Sequence, residues 1–125
     1  MCALFLAACA FITAPSIACG PPSFNFERRS ARLSPTVDDQ LTETVGNFRR
    51  ASPGSRLRLT AWGDGTGTTV ANRRLALRRA NSVSAALIRR GIPRRAIDIS
   101  IRSAPAGEPG GWVWAEVTGA QAGCG

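Results

Sequence analysis

Apolar residues recur along this chain with periods that change from segment to segment, and each period predicts an element. Phe24 to Glu27 alternates and predicts a short strand. Val37, Leu41, Val45 and Phe48 then recur at helical spacing and form one apolar face. Ser34-Pro35 reads as the start of that helix, with Ser as N-cap and Pro in the first turn. Asp38 and Asp39 complement the positive end of the helix dipole, and Arg49 and Arg50 the negative end. Ser52-Pro53-Gly54 ends the helix. From Arg56 to Trp62 the alternation is strict: Leu57, Leu59 and Ala61 face one side, Arg56, Arg58 and Trp62 the other. A Gly-rich turn at Gly63 to Gly67 leads into a long helix over Asn72 to Arg90, with Ala76, Ala80, Val83 and Leu87 on one face. Gly91 suits the left-handed position after that helix, and Pro93 prevents continuation. Ile97, Ile99 and Ile101 alternate as a third strand, and Trp112 to Val117 forms a fourth after a Pro/Gly loop. The predicted order is β-α-β-α-β-β, an α+β class with two helices packed on a small mixed sheet.

The first thirteen residues break this pattern. Met1 to Thr13 is an uncharged apolar run, too short to span a bilayer comfortably, followed by the small-residue stretch Ala14 to Ala18. This predicts a signal peptide over residues 1–18, although no basic residue precedes the run. A single domain over 19–125 remains, its core at about 24–117. Cleavage removes Cys2 and Cys9 and leaves Cys19 and Cys124. An even pair in an exported chain reads as a disulfide, here joining the two ends of the domain. The competing reading is lipidation at Cys9, within Leu6-Ala7-Ala8-Cys9, or at Cys19. Only lipidation would attach the chain to a membrane.

Composition narrows the chemistry. The 125-residue chain carries a net charge of +8, and all sixteen of its basic residues are Arg. Arginine meets carboxylates and phosphates with a planar fork of donors, so an acidic partner fits. The Arg pairs do not form one stripe with interleaved aromatics, which argues against a nucleic-acid groove. His and Tyr are both absent, which excludes His-based nucleophile systems and His-ligated metal sites. No nucleophile is placed beside a base, and the cysteines sit towards the termini. The expectation is a binding protein without catalysis, metal or cofactor.

One stretch carries a specific signal. Within Trp62 to Val83, Asp64 is followed by Gly67, Asn72, Leu75, Arg79-Ala80 and Val83. This spacing resembles, without a gap, the signature of OmpA-like peptidoglycan-binding domains, and Phe24 to Pro35 resembles the opening of that family. The resemblance implies the OmpA-like fold, a periplasmic or outer-membrane-associated location, and peptidoglycan as partner, with envelope proteins as further partners. It also implies that Asp64 and Arg79 are the ligand clamp for the diaminopimelate of a wall peptide. Arg79, about two turns into the helix, would take the ligand carboxylate, and Asp64 would accept from its ammonium. Gly65 and Gly67 would let the backbone approach, and Asn72 would help start the helix.

The bland alternative is that Asp64 and Arg79 form an intramolecular ion pair in an OmpA-like domain serving structural or protein-interaction roles. Two departures from the family bear on this. Its His-Thr before the Asp is Trp62-Gly63 here, and no Arg follows Arg102. Trp62 could stack on a ligand, though a packed ring is its commoner use. Packing on the sheet is likewise the expected role of Trp112 and Trp114.

Overall fold

The computed structural model describes residues 21–65, 68–102 and 111–119. The predicted leader, Cys9, Cys19, Cys124, Gly67 and most of the loop before the last strand lie outside these residues. The elements are β1 (Ser23–Asn25), α1 (Asp38–Arg50), β2 (Arg56–Trp62), α2 (Thr69–Arg89), a 3-10 turn (Arg94–Ala96), β3 (Ile97–Arg102) and β4 (Trp112–Thr118). Their order is the predicted β-α-β-α-β-β.

The strands form one mixed sheet in the order β1-β4-β2-β3. β4 runs antiparallel to both β1 and β2, with Phe24 opposite Val113 and Leu59 opposite Ala115. β2 and β3 are parallel, with Leu57 opposite Ile97 and Ala61 opposite Ile101. A parallel pair needs a crossover, and α2 supplies it. Alternation sends Phe24, Leu57, Leu59, Ala61, Val113 and Ala115 to one face, where all are buried. Ala76, Ala80, Val83 and Leu87 of α2 meet them with no exposed surface, and Leu41 and Val45 of α1 complete the core. Burying each of the larger side chains contributes about 1.5–3 kcal/mol. The small Ala76 and Ala80 let α2 lie close to β2.

Both helices begin elsewhere than the sequence suggests. Ser34 does not cap α1. Its hydroxyl accepts from the Thr36 N–H at 3.2 Å in a turn, and the helix proper starts at Asp38 with Val37 as an N-cap that has no side-chain bond. Asp38, Asp39, Arg49 and Arg50 do occupy the first and last turns. Thr68 caps α2, accepting from the Ala71 N–H at 3.1 Å, so Asn72 lies inside the helix rather than at its start. The end of α2 is as predicted. Gly91 adopts φ +102, its N–H donates to the Ile88 carbonyl, and the Ile92 N–H donates to Leu87. These two bonds make a Schellman motif, with buried Ile92 and Leu87 as its apolar contact.

Edge strand β3 is fastened on the face away from the helices. Arg56 donates to Asp98 through Nε at 2.6 Å and Nη2 at 2.7 Å. The hydrogen bond from Arg56 holds the Asp98 carboxyl below its ordinary pKa. A lowered folded-state pKa means that this bond stabilises the fold above the ordinary carboxylate range and is lost as pH falls through the lowered value. A carbon-detected NMR titration of Asp98 should therefore give a midpoint below that of an unperturbed Asp, and Arg56→Ala should return it. An unchanged midpoint in the variant would contradict the assignment.

Candidate binding site

The candidate site lies where β2 runs out. Trp62 ends the strand, and Gly63, Asp64 and Gly65 turn the chain towards α2. Gly65 has φ +76, a conformation glycine adopts without strain. Gly63 is needed for a different reason. A Cβ there would stand 2.6 Å from the Asn72 carbonyl oxygen and 3.0 Å from the Asn72 Cβ. The first turn of α2 thus packs directly on the strand exit, and a Thr at this position, as the family signature has, would collide with helix backbone. Asn72 contributes this contact rather than a cap.

Arg79 and Asp64 meet beneath this turn. Arg79 has no exposed surface, and Asp64 is 9% exposed. Nη2 of Arg79 donates to Oδ1 of Asp64 at 2.6 Å and to the Glu27 carbonyl at 3.0 Å. Nε donates to the Ser30 carbonyl at 2.8 Å, and Nη1 to the Trp62 carbonyl at 3.2 Å. A guanidinium has five N–H donors, so one N–H, on Nη1, has no acceptor among the described residues. Oδ2 of Asp64 accepts from the Arg29 backbone N–H at 2.6 Å. A carboxylate has about four lone-pair positions, so Asp64 retains further accepting capacity.

The residues from Phe26 to Ala31 form a strap over the pair. The Arg79 guanidinium carbon lies 5.4 Å from the centre of the Phe26 ring, within range of a cation–π attraction. Arg29 takes a left-handed φ of 59, a strain of about 1–3 kcal/mol that its charge-assisted bond to Asp64 offsets. Ser82 of α2 donates to the Ala31 carbonyl at 2.6 Å and ties down the far end. At the near end the Phe26 N–H donates to the Gly111 carbonyl at 2.8 Å. A Cβ on Gly111 would lie 3.7 Å from both Arg79 Nη1 and Asp64 Oδ1. Gly111 therefore borders the pair with backbone alone.

The structure thus brings Asp64 and Arg79 into direct contact, with Gly65 in their turn. Trp62 supports the site through its carbonyl, while its ring lies against Trp112 and Trp114. Neither the strap nor Gly111 carries a site pattern of its own in the sequence; the one hint is the resemblance of Phe24 to Pro35 to the family's opening segment.

The sequence model of the OmpA family matches residues 25–109. The chain belongs to the OmpA family. Solved OmpA-like structures share its fold. The peptidoglycan-associated lipoprotein of Burkholderia pseudomallei superposes with a TM-score of 0.66 at 16% identity, covering 86% of this chain and 98% of that one. The C-terminal domain of Helicobacter pylori MotB gives 0.65 at 17% identity, covering 77% and 83%. The OmpA-like domain of Francisella tularensis FopA1 gives 0.63 at 16% identity, covering 74% and 68%. No protein of curated function matches the sequence significantly. At these identities the likeness establishes the OmpA-like fold.

Removing one member of a buried ion pair strands the other charge, at about 3–5 kcal/mol. Asp64→Ala should lower unfolding stability by that amount in urea titrations. Asp64→Asn, which keeps the shape of the side chain and an oxygen for Arg79 while leaving the three backbone carbonyls bonded, should lose less than Asp64→Ala. A loss under about 1 kcal/mol for Asp64→Ala, the range of an exposed pair, would show that the pair is not buried in solution.

Proposed function

We propose that this OmpA-family domain binds peptidoglycan without catalysis, taking the zwitterionic end of a diaminopimelate stem peptide at Asp64 and Arg79. The observation that supports the reading is the unused capacity of the buried pair beside Gly111. Among the described residues Arg79 keeps one N–H without an acceptor, which would suit a carboxylate, and Asp64 keeps accepting positions that would suit an ammonium. A receptor whose charges are already held in place loses little order on binding, because the strap and the turn have fixed both side chains beforehand. The site needs neither metal nor cofactor. A protein of this kind acts in the bacterial envelope, where the predicted leader at residues 1–18 would deliver it. A Cys19–Cys124 disulfide or a lipid on Cys19 or Cys9 would then be a feature of the exported form.

A second reading has an observation of its own. Four of the five Arg79 N–H groups are engaged inside the domain. The pair could serve wholly as an internal fastener in a domain that contacts other envelope proteins. The two readings separate in a pull-down with purified sacculi. Wall binding predicts that the mature wild-type domain co-sediments and that the folded Asp64→Asn variant loses this by tenfold or more, about 1.4 kcal/mol. A folded wild-type domain that stays in the supernatant would favour the fastener. Equal sedimentation of both proteins would overturn the clamp.

A further inference from the structure

The face of the sheet away from the helices carries a second group of residues that the clamp does not use. Trp62 on β2 touches Trp112 of β4 with ring centres 5.6 Å apart and Trp114 with centres 4.9 Å apart. The first contact is tilted by 40° and the second is edge-on at 64°, so the three rings are not stacked face to face. Trp114 is 43% exposed. Among the described residues both helices pack on the opposite face, where the core lies. Trp62 and Trp112 are half-buried beside Trp114, so the three rings form one contiguous aromatic patch rather than scattered apolar surface.

We infer that this tryptophan cluster is a stacking surface for the uncharged glycan strand of peptidoglycan. The residues around it fit a sugar. The register places Asn25 beside Trp112, Ser23 beside Trp114, and Arg102 beside Trp62. Pyranose rings present an apolar, weakly positive C–H face, which suits the negative face of an indole, and a rim of hydroxyls, which suits amide, hydroxyl and guanidinium groups. The charge on this face argues for a neutral polymer. The chain as a whole carries +8. On this face, however, Arg56 is paired with Asp98 at 2.6 Å and Arg58 with Glu116 at 3.8 Å, which leaves Arg102 beside Trp62 as a single charge without an ion pair among the described residues. A polyanion would be better served by a row of such charges, and a single-stranded nucleic acid needs basic residues tracking its backbone.

The cluster is also placed to act with the clamp. Trp62 lies two residues before Asp64, and Trp112 directly follows Gly111, which borders the buried pair. A branched polymer of sugar and peptide could therefore touch both at the same end of the sheet. The identity of the glycan rests on the wall-binding reading above.

The chain contains three tryptophans and no tyrosine, and all three tryptophans lie in this cluster. Intrinsic fluorescence therefore reports on it alone. Chitohexaose, a neutral β-1,4-linked N-acetylglucosamine oligomer that keeps the sugar faces and linkage of the wall glycan, should change the emission saturably at up to millimolar concentration. Trp114→Ala, at an exposed position that leaves the core intact, should weaken glycan affinity about tenfold. It should leave binding of an isolated diaminopimelate stem peptide, measured by calorimetry, unchanged. No emission change with glycan, or equal affinity in Trp114→Ala, would overturn the stacking surface. So would a concentration-dependent dimer in sedimentation that buries the cluster. Glycan binding without stem-peptide binding would instead count against the clamp alone, so the two failures are distinguishable.

Discussion

The burial of one charged side chain organises this domain. Arg79 stands on the core face of α2 among alanines and leucines, where an unpaired guanidinium would carry a large desolvation penalty. The surrounding structure answers that demand. The strap folds back to offer the Glu27 and Ser30 carbonyls, β2 ends so that the Trp62 carbonyl faces inward, and the following turn delivers Asp64. Even the strained Arg29 backbone is explained by the pair, because its N–H completes the Asp64 carboxylate. A geometry that meets four donors of one guanidinium from three chain segments is hard to reach by accident. It is also stiff, because those four bonds and the Phe26 ring fix one side chain from several sides.

Much of the fold was legible because the hydrophobic periods are clean. The strict alternation of Leu57, Leu59 and Ala61 and the 3.6-residue recurrence of Ala76, Ala80, Val83 and Leu87 specify which faces meet. The Gly91 terminus was legible for a local reason, since a left-handed residue followed by Ile92 and Pro93 leaves few alternatives. The helix starts were not legible. Ser34 and Thr68 offer similar hydroxyls, and whether a hydroxyl caps a helix or a turn is decided by the backbone that follows it. In the site, the spacing of Asp64 and Arg79 was readable, but their burial was not. Burial depends on a strap forty-nine residues away from Arg79 at Ser30, and no local pattern encodes such a contact.

The departures from the family signature form a consistent set. Gly63 replaces a side chain that the close approach of Asn72 would exclude. Trp62 replaces the family's His, and its ring joins Trp112 and Trp114 on the open side of the sheet, while its carbonyl stays with Arg79. The strand end therefore serves two surfaces through one residue: backbone towards the buried pair, side chain towards the outer face. A change at Trp62 would disturb both, whereas Trp114 belongs to the outer face only.

The central claim is that the buried Asp64–Arg79 pair is the binding centre and not only an internal fastener. The most direct test is to follow the Arg79 Nε–H and the Arg29 backbone amide by solution NMR while meso-diaminopimelate is added to the folded domain. The account predicts saturable shifts concentrated at these two groups and at the amide of Gly111. Unmoved resonances at all three, in a domain that still sediments with sacculi, would contradict it.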